Sequence, residues 1–116
     1  MKLATPEQNI KFDIKRLLDS RGAFWSAVKG GPHSKPGDPD IIACYRGFFV
    51  GIEAKTDTGT LSGWQEMRRD QILKADGFWV LARCKEDVEE VLDDIDESLA
   101  EAGATIEVAR GAGWDA

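Results

Sequence analysis

At 116 residues the chain is the size of one domain, and its 42% apolar content is that of a folded protein rather than a disordered one. Its net charge of -6 speaks against coating nucleic acid through bulk positive charge. The acidity is local, since residues 1–77 carry 12 basic and 10 acidic side chains and residues 78–116 carry 3 and 11.

Thr5 can cap a first helix, with Pro6 at its first position and Gln8 completing a capping box. Ile10, Ile14, Leu17 and Leu18 recur at helical spacing, and Gly22 supplies a stop. A short strand is expected at residues 23–28, then a loop rich in Gly and Pro to residue 38. Strands at residues 40–45 and 48–55 are separated only by Arg46-Gly47, which predicts a hairpin. Ser62 and Gln65 form a second capping box, opening a helix to about Asp76 that Gly77 ends, and residues 78–83 read as a fourth strand. Residues 86–102 form an amphipathic helix with Val88, Val91, Leu92, Ile95 and Leu99 on one face and Gly103 as its stop. The tail, 103–116, offers a short strand at 105–109 or a dimer contact, and its glycines suggest fraying.

No linker divides the chain, so one domain over residues 1–116 is expected, with its core at about 5–102. No apolar run approaches the roughly 18–20 residues of a membrane span, and the first residues lack the apolar stretch of a secretory signal. A cytoplasmic protein without membrane contact is expected, with Cys44 and Cys84 as buried, reduced thiols. The tryptophans (Trp25, Trp64, Trp79, Trp114) are expected mostly in the core, with packing on the hairpin favoured over base stacking for Trp64. His33, the lone histidine, cannot build a zinc site and reads as a solvated loop residue.

The hairpin carries the chemistry. On the second strand Phe48, Val50, Ile52 and Ala54 share one face, suited to the core, and Phe49, Gly51, Glu53 and Lys55 share the other. A glycine there marks close approach by a ligand or another backbone. With a two-residue turn, Tyr45 opposes Phe48, and counting outward sets Asp40 opposite Glu53. Opposed side chains have Cβ atoms about 4.5–5.5 Å apart, where two carboxylates repel. The pair reads either as solvated charges at strand ends or as a couple tolerated by sharing a proton, by a Lys neighbour or by a bound cation; Lys55 offsets only one charge, so a hard divalent ion is the simplest completion. Such an ion favours phosphodiester hydrolysis, with Lys55 stabilising developing negative charge or orienting water. Lys29 and Lys35 in the loop, and Arg68 and Arg69 with Lys74 on the following helix, offer phosphate contacts, against the alternative of ordinary solvated lysines and arginines.

Pro39-Asp40, followed thirteen residues on by Glu53-Ala54-Lys55, resembles the PD-(D/E)xK nuclease signature. The wider runs Gly37-Asp38-Pro39-Asp40-Ile41-Ile42, residues 47–55, Leu61-Ser62-Gly63-Trp64-Gln65 and Gly77 are similar to the virus-type replication–repair nuclease (VRR-NUC) branch, over about residues 7–90. The resemblance implies an α/β restriction-endonuclease-like αβββαβ core, a mixed four-stranded sheet flanked by helices, with a further C-terminal helix. It implies a divalent-metal-dependent DNA endonuclease using Mg²⁺ or Mn²⁺ and no nucleotide cofactor. Asp40 and Glu53 would be metal ligands with the Ala54 carbonyl as a third, Lys55 the catalytic lysine, and Gln65 an active-site residue positioning water or phosphate. Gln65 also has its capping-box role. Glu7 matches an acidic residue that completes the metal site in many relatives, and equally reads as a favourable first-turn charge. Asp38 stands where many relatives have a small or basic residue, and reads as a loop carboxylate.

Stand-alone members of this size act as homodimers on branched DNA such as four-way (Holliday) junctions, in DNA repair and in phage or bacterial cells. Those are the implied substrate, assembly and setting, with the apolar face of residues 86–102 or the tail as an interface. The alternatives are a same-fold nuclease for flaps, nicked duplex or restriction targets, and a non-catalytic DNA-binding or assembly module. One bound Mg²⁺ would bring residues 1–77 from +2 to at least +4, with the polar face of the acidic helix expected to point away from DNA.

Overall fold

The computed structural model describes residues 3–30 and 34–103. His33, Trp114 and the strand expected at 105–109 lie outside the described residues. The elements are α1 (Pro6–Ser20), β1 (Phe24–Ala27), β2 (Ile41–Tyr45), β3 (Phe48–Ala54), α2 (Gly63–Lys74), β4 (Phe78–Ala82) and α3 (Lys85–Ala102). The strands form a mixed four-stranded sheet in the order β1-β2-β3-β4. β2 pairs antiparallel with both β1 and β3, and β4 joins β3 in parallel after the α2 crossover.

Local chemistry accounts for the element ends. Both capping boxes form, at Thr5/Gln8 and at Ser62/Gln65. Arg46 and Gly47 both take positive φ, 51° and 92°, the backbone of a type I′ turn whose twist matches that of the flanking strands. That turn sets Tyr45 opposite Phe48 and Ile41 opposite Ile52. Two details differ from expectation. The α2 stop is Asp76, in the left-handed region at φ 65°, a conformation its short polar side chain tolerates. Gly77 is needed for contact instead: a Cβ there would sit 2.9 Å from Ile72 Cγ2. The strands also end one residue short of Asp40 and Lys55; the Ala54 N–H goes to the Asp40 side chain, while the Lys55 N–H still donates to the Ala82 carbonyl.

One apolar layer lies between the sheet and the pair α1/α3. Ile14 and Leu18 of α1 meet Ile41, Val50 and Ile52 of the sheet and Val88, Leu92 and Ile95 of α3, all fully buried. The apolar face of α3 is therefore consumed within one chain and is not available as the dimer interface considered above. At the hairpin turn Asp96 accepts from Arg21, Tyr45 and Arg46 at 2.8–2.9 Å, joining α1, the turn and α3. The Arg46 and Tyr45 hydrogen bonds hold its carboxyl below the usual range.

The opposite sheet face is covered by α2 only over β3 and β4. At Gly51 a Cβ would meet Ile72, Pro39 and Trp79 at 3.1–3.4 Å, so the space left by this glycine serves helix packing. Among the described residues nothing covers the outer faces of β1 and β2 beyond α2, and Cys44 lies exposed there by strand alternation. Cys84, at the N-cap of α3, is exposed as well. The expectation of buried thiols thus fails for both. Trp64 is also 56% exposed rather than packed on the hairpin, and Trp25 and Trp79 are only half-buried.

Candidate active site

Asp40 enters β2 where the Val28 N–H donates to its carbonyl at 2.8 Å. One residue beyond the Ile41–Ile52 pair, it stands across from Glu53 near the end of β3. The Ala54 N–H donates to Asp40 Oδ2 at 2.9 Å, tying the Ala54 peptide to the site. Glu53 is 3% exposed, the one buried charged residue among those described. Its Oε1 accepts from Gln65 Nε2 at 2.7 Å and lies 3.9 Å from Lys55 Nζ. Gln65 therefore fills both roles at once: its Oε1 accepts the Ser62 N–H of the cap while its amide donates to Glu53. The hydrogen bond that starts α2 thus orients a side chain in the site.

Burial, then the facing Asp40 charge, pushes the Glu53 carboxyl up to about 8, opposed by Lys55 and Lys11. Lys11, which sequence reasoning missed, reaches from α1 to 3.6 Å from Asp40 Oδ1. The available signal was its place three residues before Ile14 and seven before Leu18, on the buried stripe of the helix. Glu7 lies one turn earlier on α1 and is half-buried. Among the described residues no group of three or more His, Cys, Asp or Glu side chains gathers, so Glu7 is not brought together with Asp40 and Glu53.

The residues considered for phosphate contact are spread more widely. Lys29 and Lys35 are exposed. Arg68 is 3.2 Å from Asp38, the loop carboxylate, and donates to Gln71. Arg69 pairs with Asp70 and lies 5.9 Å from the Trp79 ring. Asp38 also accepts the Lys35 N–H. The loop is set against α2 by Gly37, at φ 81°, where a Cβ would stand 2.3 Å from the Trp64 carbonyl carbon and oxygen and 2.7 Å from Gln65 N. Backbone atoms cannot yield as a side chain would. Gly37→Ala is expected to lower stability by about 2–4 kcal/mol, read as a drop in melting temperature, with Trp64 fluorescence reporting displacement of the α2 start.

Two opposed carboxylates, one of them withdrawn from water, offer hard oxygen donors of the kind that suit Mg²⁺ or Mn²⁺. Lys55 and Gln65 add a cation and an amide donor beside them, the equipment for stabilising negative charge on a phosphoryl group.

Comparison with models of protein families and with curated proteins finds no match. Among solved structures, one described as a VRR_NUC domain matches at a TM-score of 0.66 and 17% identity, covering 78% of this chain and 97% of its own. No helix among the described residues is long and apolar enough to cross a membrane. By its three helices and mixed sheet, the chain has the fold of a VRR_NUC domain.

Proposed function

We propose that the chain is a divalent-metal-dependent DNA endonuclease. The observation that carries this reading is the convergence of Asp40, Glu53, Lys55 and Gln65 at one end of the hairpin, on this nuclease-family fold. Asp40 and Glu53, with the Ala54 carbonyl, would hold Mg²⁺ or Mn²⁺. When bound, the ion would polarise the phosphoryl oxygen and lower the pKa of a water. Lys55 stabilises the charge that develops on the phosphate, at a site whose low exposure strengthens the interaction. Gln65 holds Glu53 in place through its amide, with its other end fixed by the α2 cap. Branched DNA, four-way junctions in particular, is the substrate we propose, with a homodimer presenting two sites to paired strands. The sequence resemblance supports that finer reading.

The test incubates the protein with a labelled four-way junction, a flap and a linear duplex, each with Mg²⁺, Mn²⁺ or chelator. Asp40→Ala and Lys55→Ala run in parallel. Symmetric nicks in the junction, lost with chelator and in both variants, are expected. Cleavage persisting in both variants would overturn the site, and no cleavage of any DNA would favour a binding module. One-sided cutting of the flap alone would replace the junction as substrate.

A further inference from the structure

The flank of α1 between its buried and exposed faces holds a concavity of about 530 Å³ lined by Leu3, Ala4, Gln8, Lys11, Phe12 and Lys15. It shares Lys11 with the candidate active site, since the same Nζ lies 3.6 Å from Asp40. The polar side-chain groups it offers are donors. Gln8 spends its Oε1 on the Thr5 N–H, which leaves its amide N–H groups, and Lys11 and Lys15 bring ammonium groups. Among the described residues no acidic side chain lines it. Lys15 makes no ion pair among the described residues. Its Nζ sits instead 5.8 Å from the Phe12 ring centroid and 5.6 Å from that of Trp25. The Trp25 ring is held in turn by its indole N–H on Asp19 at 2.7 Å. Phe12 itself is 56% exposed.

We propose that this face of α1 seats the DNA strand continuing from the phosphate placed beside Lys55, with Lys11 and Lys15 on successive phosphates and Phe12 stacking an unpaired base. The inference rests on the nuclease reading of the adjoining site. Side chains that offer only donors are complementary to phosphate oxygens, which are acceptors at every position. The lysines are four residues apart, just over one helical turn and about 6 Å along the axis, and lead away from the site in one direction. An exposed phenylalanine between two cations is the pairing single-stranded binders use, base stacking on a ring with the backbone neutralised beside it. A base can reach Phe12 only where it is not held in a duplex, so this face favours forks and junctions with splayed strands over continuous duplex.

The test measures affinity in EDTA, independently of cleavage, by fluorescence anisotropy of a labelled fork with single-stranded arms and of a duplex of equal length. Phe12→Ala is expected to weaken fork binding about tenfold and duplex binding little. Lys15→Gln is expected to weaken both and to lower the slope of log affinity against log salt by about one, whereas Phe12→Ala leaves that slope in place. Lys85→Gln, the same charge change at the start of α3, is expected to bind as wild type. Wild-type affinity in both Phe12→Ala and Lys15→Gln would overturn the proposal, as would an equal loss in Lys85→Gln. Cleavage by the wild type separates the two readings. An active enzyme whose α1 variants bind normally removes only the strand seat, and a loss of affinity in a protein that cleaves nothing removes only the nuclease.

Discussion

Glu53→Gln is expected to abolish metal-dependent cleavage while making the metal-free protein more stable. The first half follows from the donor set: Asp40 would be left as the only carboxylate against the ion, and a neutral amide oxygen binds a hard cation weakly. A loss of at least about 10³-fold in cleavage is expected for a ligand of this kind. The second half follows from burial. Glu53 is 3% exposed and faces Asp40, and its carboxyl is pushed from 4.5 to about 8. Below pH 4.5 the group is protonated in both folded and unfolded chains and contributes nothing. As pH rises from there to about 8, the unfolded chain releases its proton while the folded one keeps it, so stability falls across that window and levels off above it. Each unit of upward shift corresponds to ~1.36 kcal/mol. Glutamine keeps an acceptor for Gln65 Nε2 and removes the charge, which is expected to return on the order of 2 kcal/mol. The advantage of the variant in thermal melts should be small at pH 5, grow to pH 8 and stay constant above it. Added Mn²⁺ should raise the melting temperature of the wild type alone, through binding to the native state. A variant that melts below the wild type at pH 9, or that still cleaves, would remove Glu53 from the assigned role.

The same geometry shows why parts of this molecule were legible in its sequence and others were not. Local rules set the features that could be read. Two capping boxes fix two helix starts, and a two-residue turn with both φ values positive fixes the hairpin register, from which the facing of Asp40 and Glu53 follows by counting. Lys11 escaped because its meeting with Asp40 depends on where α1 lies across the sheet, and that is decided by Ile14 and Leu18 finding Ile52 and Leu92. Gly51 was read as a place of close approach by a ligand or another backbone; the side chains of Ile72, Pro39 and Trp79 fill the space instead, which alternation along a strand cannot foresee. Apolarity misjudged Cys44 for a related reason. It sits on the strand face that α2 does not reach, and how far a crossover helix spreads over a sheet is not written in the strand itself.

Lys55→Ala is expected to lower cleavage by about 10²–10³-fold, the usual effect of losing one preorganised charge at a developing oxyanion. It should do so without loss of either carboxylate. Two roles are open to this lysine, and they predict different pH profiles. Its Nζ is 3.9 Å from Glu53 Oε1 and helps to hold that carboxyl down. Were charge balance its whole contribution, removing it would only push the Glu53 carboxyl higher, metal binding would need a higher pH, and cleavage would return as pH rises past the new value. Were it to act on the phosphate, as proposed, the same upward displacement of the metal-binding midpoint would appear, but the maximal rate at saturating metal and high pH would stay low. We expect both effects together: a midpoint for Mn²⁺ binding moved to higher pH and a plateau rate that does not recover. Lys55→Arg separates them further, since it restores the charge beside Glu53 with a broader, planar head that fits the same space differently. Its binding midpoint should return close to that of the wild type while its plateau rate remains depressed. Full recovery of the Lys55→Ala rate at high pH would reduce Lys55 to a counter-ion for Glu53 and leave the phosphate to Lys11, the other cation at the site.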